Sequence, residues 1–311
     1  MEDGEQVPCL PFCIFNFQFC IMKQWTIARR TLQYGERTLV MGVLNVTPDS
    51  FSDGGQFSSI ERALVRAEEM IAEGADIIDI GGESTRPEAE IVSAEEEMRR
   101  VVPVIEKLSK SSIVPISVDT TKEVVARAAL LAGAEIINDI SALRFEPSLA
   151  DAVAEAQAGL VLMHSRGDAG TMHNLMPVAD IMAEVENSLR QSIAEARRRG
   201  VALECIAVDP GIGFSKSLEQ NVLLIARLDE LARAFAEFPM LVGTSRKSFL
   251  GRLLGGAPAE ERLHGTMATV AASVLRGAHI VRVHDVKAAV ETVRVVDAIK
   301  EASVQQSAFL S

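Results

Sequence analysis

A (β/α)8 TIM barrel preceded by an N-terminal β-hairpin is the fold class this sequence predicts, on three observations. Apolar runs keep ending in polar side chains: IIDIGGEST from Ile77, PISVDTT from Pro115, IINDIS from Ile136, LVLMHS from Leu160, IAVDPG from Ile206, MLVGTSRK from Met240 and IVRVHD from Ile280. Near-continuous apolar runs are the mark of buried parallel strands, and polar tips on every one of them put a site at a single rim. Secondly, Gly74-Ala75-Asp76-Ile77-Ile78, Gly133-Ala134-Glu135-Ile136-Ile137 and Gly277-Ala278-His279-Ile280-Val281 share one lead-in, whose glycine can end a helix in the left-handed conformation before a strand begins. Thirdly, helix patterns alternate with these strands at a spacing of about 30 to 35 residues, the usual allotment of such a barrel.

Taken in order, the chain opens with an apolar stretch from Val7 to Met22 that contains Pro8 and Pro11. A signal sequence is the functional alternative, but Glu2, Asp3 and Glu5 replace the basic start and no small-residue cleavage pattern follows. The run is also short for a membrane span. Residues 1–24 are therefore expected to be a disordered or non-native leader, with a start at Met22, followed by a single barrel domain over 25–303 and a tail over 304–311. Trp25 to Leu32 and Thr38 to Leu44 flank Tyr34-Gly35-Glu36 and read as a hairpin leading into the first barrel strand, Thr38 to Asn45. Helices are expected over Ser59–Glu73, Ser93–Ser109, Thr121–Leu131, Ser148–Glu155, Ile181–Arg199, Leu218–Ala236, Glu260–Arg276 and Val286–Ile299, several opened by a serine or threonine cap. A doubly wound sheet is the competing architecture. Against it, no Gly-x-Gly-x-x-Gly turn follows the first strand, and the polar tips are not gathered at one switch point.

Composition fits one enzyme-sized domain: 311 residues, 48 % hydrophobic and 24 % charged. A net charge of −12 argues against general attraction to nucleic acid or to an anionic membrane, so the reading is of a cytoplasmic protein without either partner. Four cysteines form neither a disulfide framework nor a zinc spacing, and Cys205 reads as a small core residue.

Parallel strands bring Asn45, Asp119, Asn138, Asp209, Lys247, Arg282 and His284 to one rim although they are far apart in sequence. Carboxylates ending such apolar strands need donors or a cation to offset desolvation. With Asn138, Asp119 and Asp209 make a recognition set suited to an amino-oxo heterocycle such as a pterin or purine. Local capping is the plainer account of each residue alone. Arg86, the run Ser245-Arg246-Lys247, Arg282 and His284 concentrate cationic character in an acidic protein, which suits a phosphate or diphosphate; a solvated basic patch is the alternative. Two loops, 45–55 and 82–87, combine oxygen ligands, proline and glycine and could close over a substrate. Asn45 offers one oxygen suited to Mg²⁺, which takes its remaining ligands from phosphate and water.

Asn45-Val46-Thr47-Pro48-Asp49-Ser50-Phe51-Ser52-Asp53-Gly54-Gly55, Gly82-Glu83-Ser84-Thr85-Arg86-Pro87, Ser117-Val118-Asp119-Thr120, Ile137-Asn138-Asp139-Ile140, Asp209-Pro210-Gly211-Ile212-Gly213-Phe214, Ser245-Arg246-Lys247-Ser248 and Arg282-Val283-His284-Asp285 together resemble, in order, the motifs of the dihydropteroate synthase family. The resemblance runs from about Trp25 to Ile299. It implies a transferase that joins p-aminobenzoate to a dihydropterin carrying a hydroxymethyl diphosphate, releasing pyrophosphate in folate synthesis. It further implies that Asp119, Asn138, Asp209 and Lys247 hydrogen-bond the pterin, with Met163 and Gly243 near the ring. Arg282 would stack on the pterin and approach the diphosphate, with His284 and, through Mg²⁺, Asn45 on the diphosphate side. Asp49, Asp53, Thr85 and Arg86 belong to the closing loops. Phe51, Pro87, Phe214 and Ser245 would border p-aminobenzoate. Catalytic roles are expected for Asp53, Arg86, Lys247, Arg282 and His284, by a dissociative route that needs no enzyme nucleophile.

Departures are small. Glu88 and Ile91 stand where the second loop commonly has glycine and proline, and Ala169 replaces a common proline. Gly213-Phe214 continues as Ser215-Lys216-Ser217 without the insertion that resembles sulfonamide-resistant relatives, so sensitivity is expected. A homodimer is expected from the resemblance. A pterin-dependent methyltransferase and a noncatalytic pterin binder are the two other readings.

Overall fold

A computed structural model of the chain describes residues 23–46, 56–83, 92–167 and 175–309, with the side chains of 56–59 and 304–309 outside that description. Of the leader expected over 1–24, residues 1–22 lie outside the described residues, whereas Lys23 and Gln24 belong to the first strand; Asp49, Phe51, Asp53, Thr85, Arg86, Pro87, Glu88, Ile91 and Ala169 also lie outside the description.

Strands β1 (Lys23–Ile27) and β2 (Arg30–Tyr34) form an antiparallel hairpin, with Ile27 opposite Arg30. The turn thus falls at Ala28-Arg29 and not at Tyr34-Gly35-Glu36, which instead connects the hairpin to the barrel. The reason is burial: every residue from Leu39 to Leu44 is buried, so β3 (Leu39–Asn45) belongs inside a parallel sheet. Gly35, at φ +99°, makes the change of direction.

Eight parallel strands then follow: β3, β4 (Ile77–Gly81), β5 (Ile116–Asp119), β6 (Ile136–Asp139), β7 (Gly159–Met163), β8 (Ile206–Asp209), β9 (Leu241–Val242) and β10 (Ile280–Val283). Their order is β8-β7-β6-β5-β4-β3-β10-β9. A bridge between Val208 and Met240, with the Val208 N–H donating to the Pro239 carbonyl at 3.0 Å, joins the ends and closes the barrel.

Helices α1 (Gln56–Glu73), α2 (Ala94–Leu108), α3 (Glu123–Ala132), α4 (Leu149–Ala156), α5 (Ile181–Arg198), α6 (Leu218–Ala226), α7 (Leu228–Ala234), α8 (Ser248–Leu253), α9 (Leu263–Leu275) and α10 (Val286–Phe309) fall in the intervals between and after the barrel strands. Ser93 caps α2 by accepting from the Glu96 N–H, and three glutamates fill its first turn, where the helix dipole favours them. Gly74, Gly133 and Gly277 all adopt positive φ, as their shared lead-in requires. Three details differ from expectation. The segment Leu218–Ala236 breaks at Arg227 into α6 and α7, although its buried apolar positions stay in helical phase across the break. The six-residue α8 is too short for periodicity to show. The last helix runs on to Phe309. Among the described residues no helix is long and apolar enough to cross a membrane.

Two cores result from strand alternation. Outward-facing residues such as Val40, Ile78, Val118, Ile137, Leu160 and Val281 pack with the helices. Gly42 is required there, because a Cβ would stand 2.9 Å from Met70 Sδ and 3.0 Å from a Val286 methyl. A separate cluster holds Leu39, Met41, Ile77, Ile136, Val161, Ala207, Leu241 and Ile280 together with Trp25, Ile27 and Tyr34 of the hairpin. The hairpin therefore packs on the lower barrel interior, with Trp25 fully buried and its indole N–H donating to the Cys205 carbonyl at 2.8 Å.

Candidate active site

Continuing along the inner face, the next residue of the same parity is polar or small on five strands, Asp79 after Ile77, Asn138 after Ile136, Asp209 after Ala207, Gly243 after Leu241 and Arg282 after Ile280, while β7 presents Met163 after Val161 and β3 Val43 after Met41. One register thus converts an apolar floor into a polar chamber. Asn45, Gly81 and Asp119 are aligned neighbours on β3, β4 and β5, and Asp119 pairs with Asn138 on β6. Gly81 keeps the gap open: a Cβ there would lie 3.6 Å from Asn45 Oδ1 and 3.8 Å from the Asp119 Cβ.

At the centre of the chamber floor lies the Arg282 guanidinium. Its Nε donates to Asp79 Oδ2 at 2.6 Å and its Nη2 to Asp119 Oδ2 at 2.8 Å. Asn138 Nδ2 donates to the same Asp79 oxygen at 3.1 Å. Burial alone would lower the Arg282 pKa, but Asp79 and Asp119 outweigh it and hold the group charged. Burial pushes Asp119 up to about 7, against the pull of Arg282 and with Asp79 adding to the rise. Two carboxylates face one guanidinium here, so this corner favours a ligand that brings N–H donors or positive charge.

Across the chamber, Lys247 Nζ stands 3.6 Å from the Phe214 ring centroid, a cation–π contact. Gly213 permits it, since a Cβ would meet Lys247 Cδ at 2.8 Å. Burial and then Arg282 draw the lysine down to about 7, and burial raises Asp209 to about 6 even though its Oδ1 accepts from the Gly211 N–H at 2.7 Å. Met163 and Phe214 pack with Ile140 as a small apolar wall. Lys216 secures the loop beneath them, donating to the carbonyls of Gly211 at 2.7 Å, Phe214 at 2.9 Å and His164 at 3.3 Å.

On the eighth-strand side, Ser245 Oγ accepts the His284 backbone N–H at 3.1 Å and lies 3.0 Å from His284 Nδ1. Ser245 Oγ can donate to Nδ1 or accept from it, and the imidazole tautomer decides which. Burial first and Arg282 second lower His284 to about 3, so at pH 7 it is a neutral imidazole and not a cation. Arg246 is likewise not a free cation: it pairs with Asp285 at 2.6 Å and 3.1 Å. Of the run Ser245-Arg246-Lys247, Arg246 is thereby committed to Asp285, as Arg282 is to Asp79 and Asp119, and among the described residues Lys247 is left without an ion pair.

Among the described residues no three His, Cys, Asp or Glu side chains gather as a metal cluster. Asn45 presents one neutral oxygen at the rim, a donor set that suits Mg²⁺ only if phosphate and water supply the rest.

Sequence reasoning placed Asp119, Asn138, Met163, Asp209, Phe214, Gly243, Ser245, Lys247, Arg282 and His284 on elements that the structure brings to one end of the barrel. It missed Asp79, which is fully buried inside an apolar run. Its signal was parity, since an aspartate two residues below Gly81 on the inward face of β4 cannot be a surface residue. Lys122 was also missed. It bridges Glu83 and Glu97 below the second loop, and Glu83 accepts the Val92 N–H as well.

The model of a family described as "Pterin binding enzyme" matches residues 41–284. A dihydropteroate synthase of Synechocystis sp. is 48 % identical over 273 residues, covering 88 % of this chain and 94 % of the relative. The solved dihydropteroate synthase of Xanthomonas albilineans with 4-aminobenzoic acid is 44 % identical, with a TM-score of 0.83 over 90 % of this chain and 98 % of that one. The Yersinia pestis dihydropteroate synthase in a sulfonamide complex is 42 % identical, with a TM-score of 0.83 over 90 % and 99 % of the two chains. An apolar-floored barrel whose rim gathers carboxylates, an amide, a lysine and an arginine, matched over these lengths, belongs to the pterin-binding enzymes and among them to the dihydropteroate synthases, which are transferases.

Proposed function

We propose that this chain condenses 6-hydroxymethyl-7,8-dihydropterin diphosphate with p-aminobenzoate, giving 7,8-dihydropteroate and pyrophosphate, by a dissociative route. The observation that carries this reading is Arg282, held between two carboxylates on the chamber floor and facing a chamber whose opposite wall is Lys247 over Phe214.

Asn138 donates its amide N–H to Asp79, which leaves its Oδ1 as the acceptor it would offer a ligand. Asp119, Asn138 and Asp209 then form a wall of acceptors for the N–H groups of the pterin, while Lys247 is the donor for its carbonyl oxygen. The Arg282 guanidinium is planar, so it can stack on the pterin and also draw on the diphosphate. His284, neutral and fixed by Ser245, would donate to the departing oxygens. Mg²⁺, held by Asn45 and the diphosphate, would supply charge neutralisation to the leaving group.

The carbon–oxygen bond to the diphosphate breaks with both electrons leaving on pyrophosphate. Positive charge spreads from the methylene carbon into the dihydropterin, where Asp79 and Asp119 favour it. The arylamine nitrogen then forms the new carbon–nitrogen bond and loses a proton to solvent or pyrophosphate. Met163 and Phe214 give the apolar edge that keeps water away, with Phe214 and Ser245 on the p-aminobenzoate side together with Phe51, Thr85, Arg86 and Pro87. The roles given to these last four residues, and to Asp49 and Asp53, rest on the motif resemblance.

An assay supplying both substrates and Mg²⁺, with pteroate and pyrophosphate measured together, tests the reading. Equal amounts of the two products are expected. Pterin binding without pyrophosphate would instead indicate a noncatalytic binder, and methyl transfer from a pterin a methyltransferase. Sulfonamide sensitivity is part of the proposal: Lys216 anchors an uninterrupted Phe214-to-Ser217 turn, and the assay is expected to lose its product at drug concentrations that stop a sensitive relative. We further propose a homodimer, supported by the family resemblance; light scattering giving twice the 33.6 kDa chain mass is the expected result.

A further inference from the structure

We infer that Asp79 is a positioning residue of the pterin pocket, one carboxylate oxygen fixing both the Arg282 guanidinium and the Asn138 carboxamide. The inference rests on the reading of this chamber as a pterin site and assigns a role to a residue that itself lies below the rim.

Two other buried aspartates among the described residues give their oxygens to the backbone. Asp139 accepts the Ser141 and Leu143 N–H groups at 2.7 Å and 2.6 Å and so holds the turn after β6. Asp209 accepts the Gly211 N–H in the same way. Asp79 does neither. Its Oδ2 receives Arg282 Nε at 2.6 Å and Asn138 Nδ2 at 3.1 Å, while its Oδ1 is buried with no partner. All of its hydrogen bonding therefore goes to two residues that face the ligand, from strands β10 and β6 on either side of β4. A carboxylate desolvated completely for so little structural return is costly, and the return is geometric order in the site.

Two consequences follow for the pocket. Arg282 is tethered through Nε to Asp79 and through Nη2 to Asp119, which fixes the plane of its guanidinium and leaves Nη1 as the end that can meet an incoming anion. Asn138 has one permitted orientation, because the flipped amide would set its oxygen against the carboxylate. Removing the Asp79 charge therefore disturbs recognition of the pterin diphosphate and leaves the p-aminobenzoate side alone.

The test uses the full chain. Calorimetric affinity for the dihydropterin diphosphate in the absence of p-aminobenzoate is compared between wild type and Asp79→Asn, with Tm and the KM for p-aminobenzoate measured alongside. Affinity is expected to fall by about tenfold or more, since a charge-assisted bond and the amide orientation are both lost, while the p-aminobenzoate KM stays within about twofold. Unchanged pterin affinity overturns the proposal, and so does an equal loss on both substrates. Should Asp79→Asn fail to fold, Asp79→Ser keeps a small acceptor in place; if both unfold, the residue is structural and the proposal falls. Pterin affinity is read without turnover, so wild type that binds pterin but forms no product would refute the condensation reading separately.

Discussion

Asp119, Asp209 and Lys247 are each displaced toward neutrality by burial, and that displacement has a sign in binding. Below about pH 6 to 7 the two aspartates take up protons and lose acceptor strength; above about 7 Lys247 loses its proton and its donor charge. Pterin affinity is therefore expected to peak near neutrality and fall on both sides, with the acid limb flattened in Asp209→Asn. A titration flat from about pH 5 to about pH 9 would refute these assignments. The same shifts act on the ligand-free fold. Both carboxyls have folded pKa values above the unfolded ones, so their stabilising contribution is complete below about pH 4 and is lost as pH rises through about 6 to 7. At this scale the sequence was legible where a polar residue ended a strand. It was not legible for Asp79, hidden among isoleucines, or for the charge of His284, which depends on burial that no local pattern records.

Secondary-structure elements were readable in proportion to their length and periodicity. The long helices and apolar strands announced themselves, and the three repeated glycine lead-ins marked helix ends. The Ala28-Arg29 turn lacks the Asn-Gly chemistry that signals a hairpin, so the more conspicuous Tyr34-Gly35-Glu36 drew the turn to the wrong place. Between elements, Lys122 ties the turn after β5 to Glu97 on α2 and to Glu83 after β4. Glu97 is 1 % exposed, so removing its partner strands a buried carboxylate. Lys122→Met is expected to destabilise the fold by on the order of 3 kcal/mol, and the double change Lys122→Met with Glu97→Met to recover most of that. Urea denaturation of the two variants distinguishes pairing from packing: equal losses would mean that the ion pair is not the cause.

For the whole molecule, the barrel was legible because one pattern, apolar run then polar tip, recurs at every strand and closes only one way. The hairpin's packing on the lower interior was not, because nothing in Trp25 or Ile27 states which core they join. That packing separates stability from chemistry. Trp25→Ala is expected to cost about 3–5 kcal/mol in chemical denaturation while leaving both substrate KM values within about twofold, since the cavity opens at the end away from the rim. A selective change in pterin KM would refute that separation.

The inner-face register has a further consequence for how errors are tolerated. Floor and chamber are read from alternate residues of the same strands, so a slip of one residue in β4 would turn Asp79 out among the helices and bring Ile80 inward. Such a molecule would lose a hydrophobic contact and a charge partner in a single stroke. Insertions in the connecting loops leave strand phase untouched, whereas an insertion or deletion of one residue within a strand reverses it. Sequence drift in this barrel is therefore expected to appear as loops that vary in length and strands that do not.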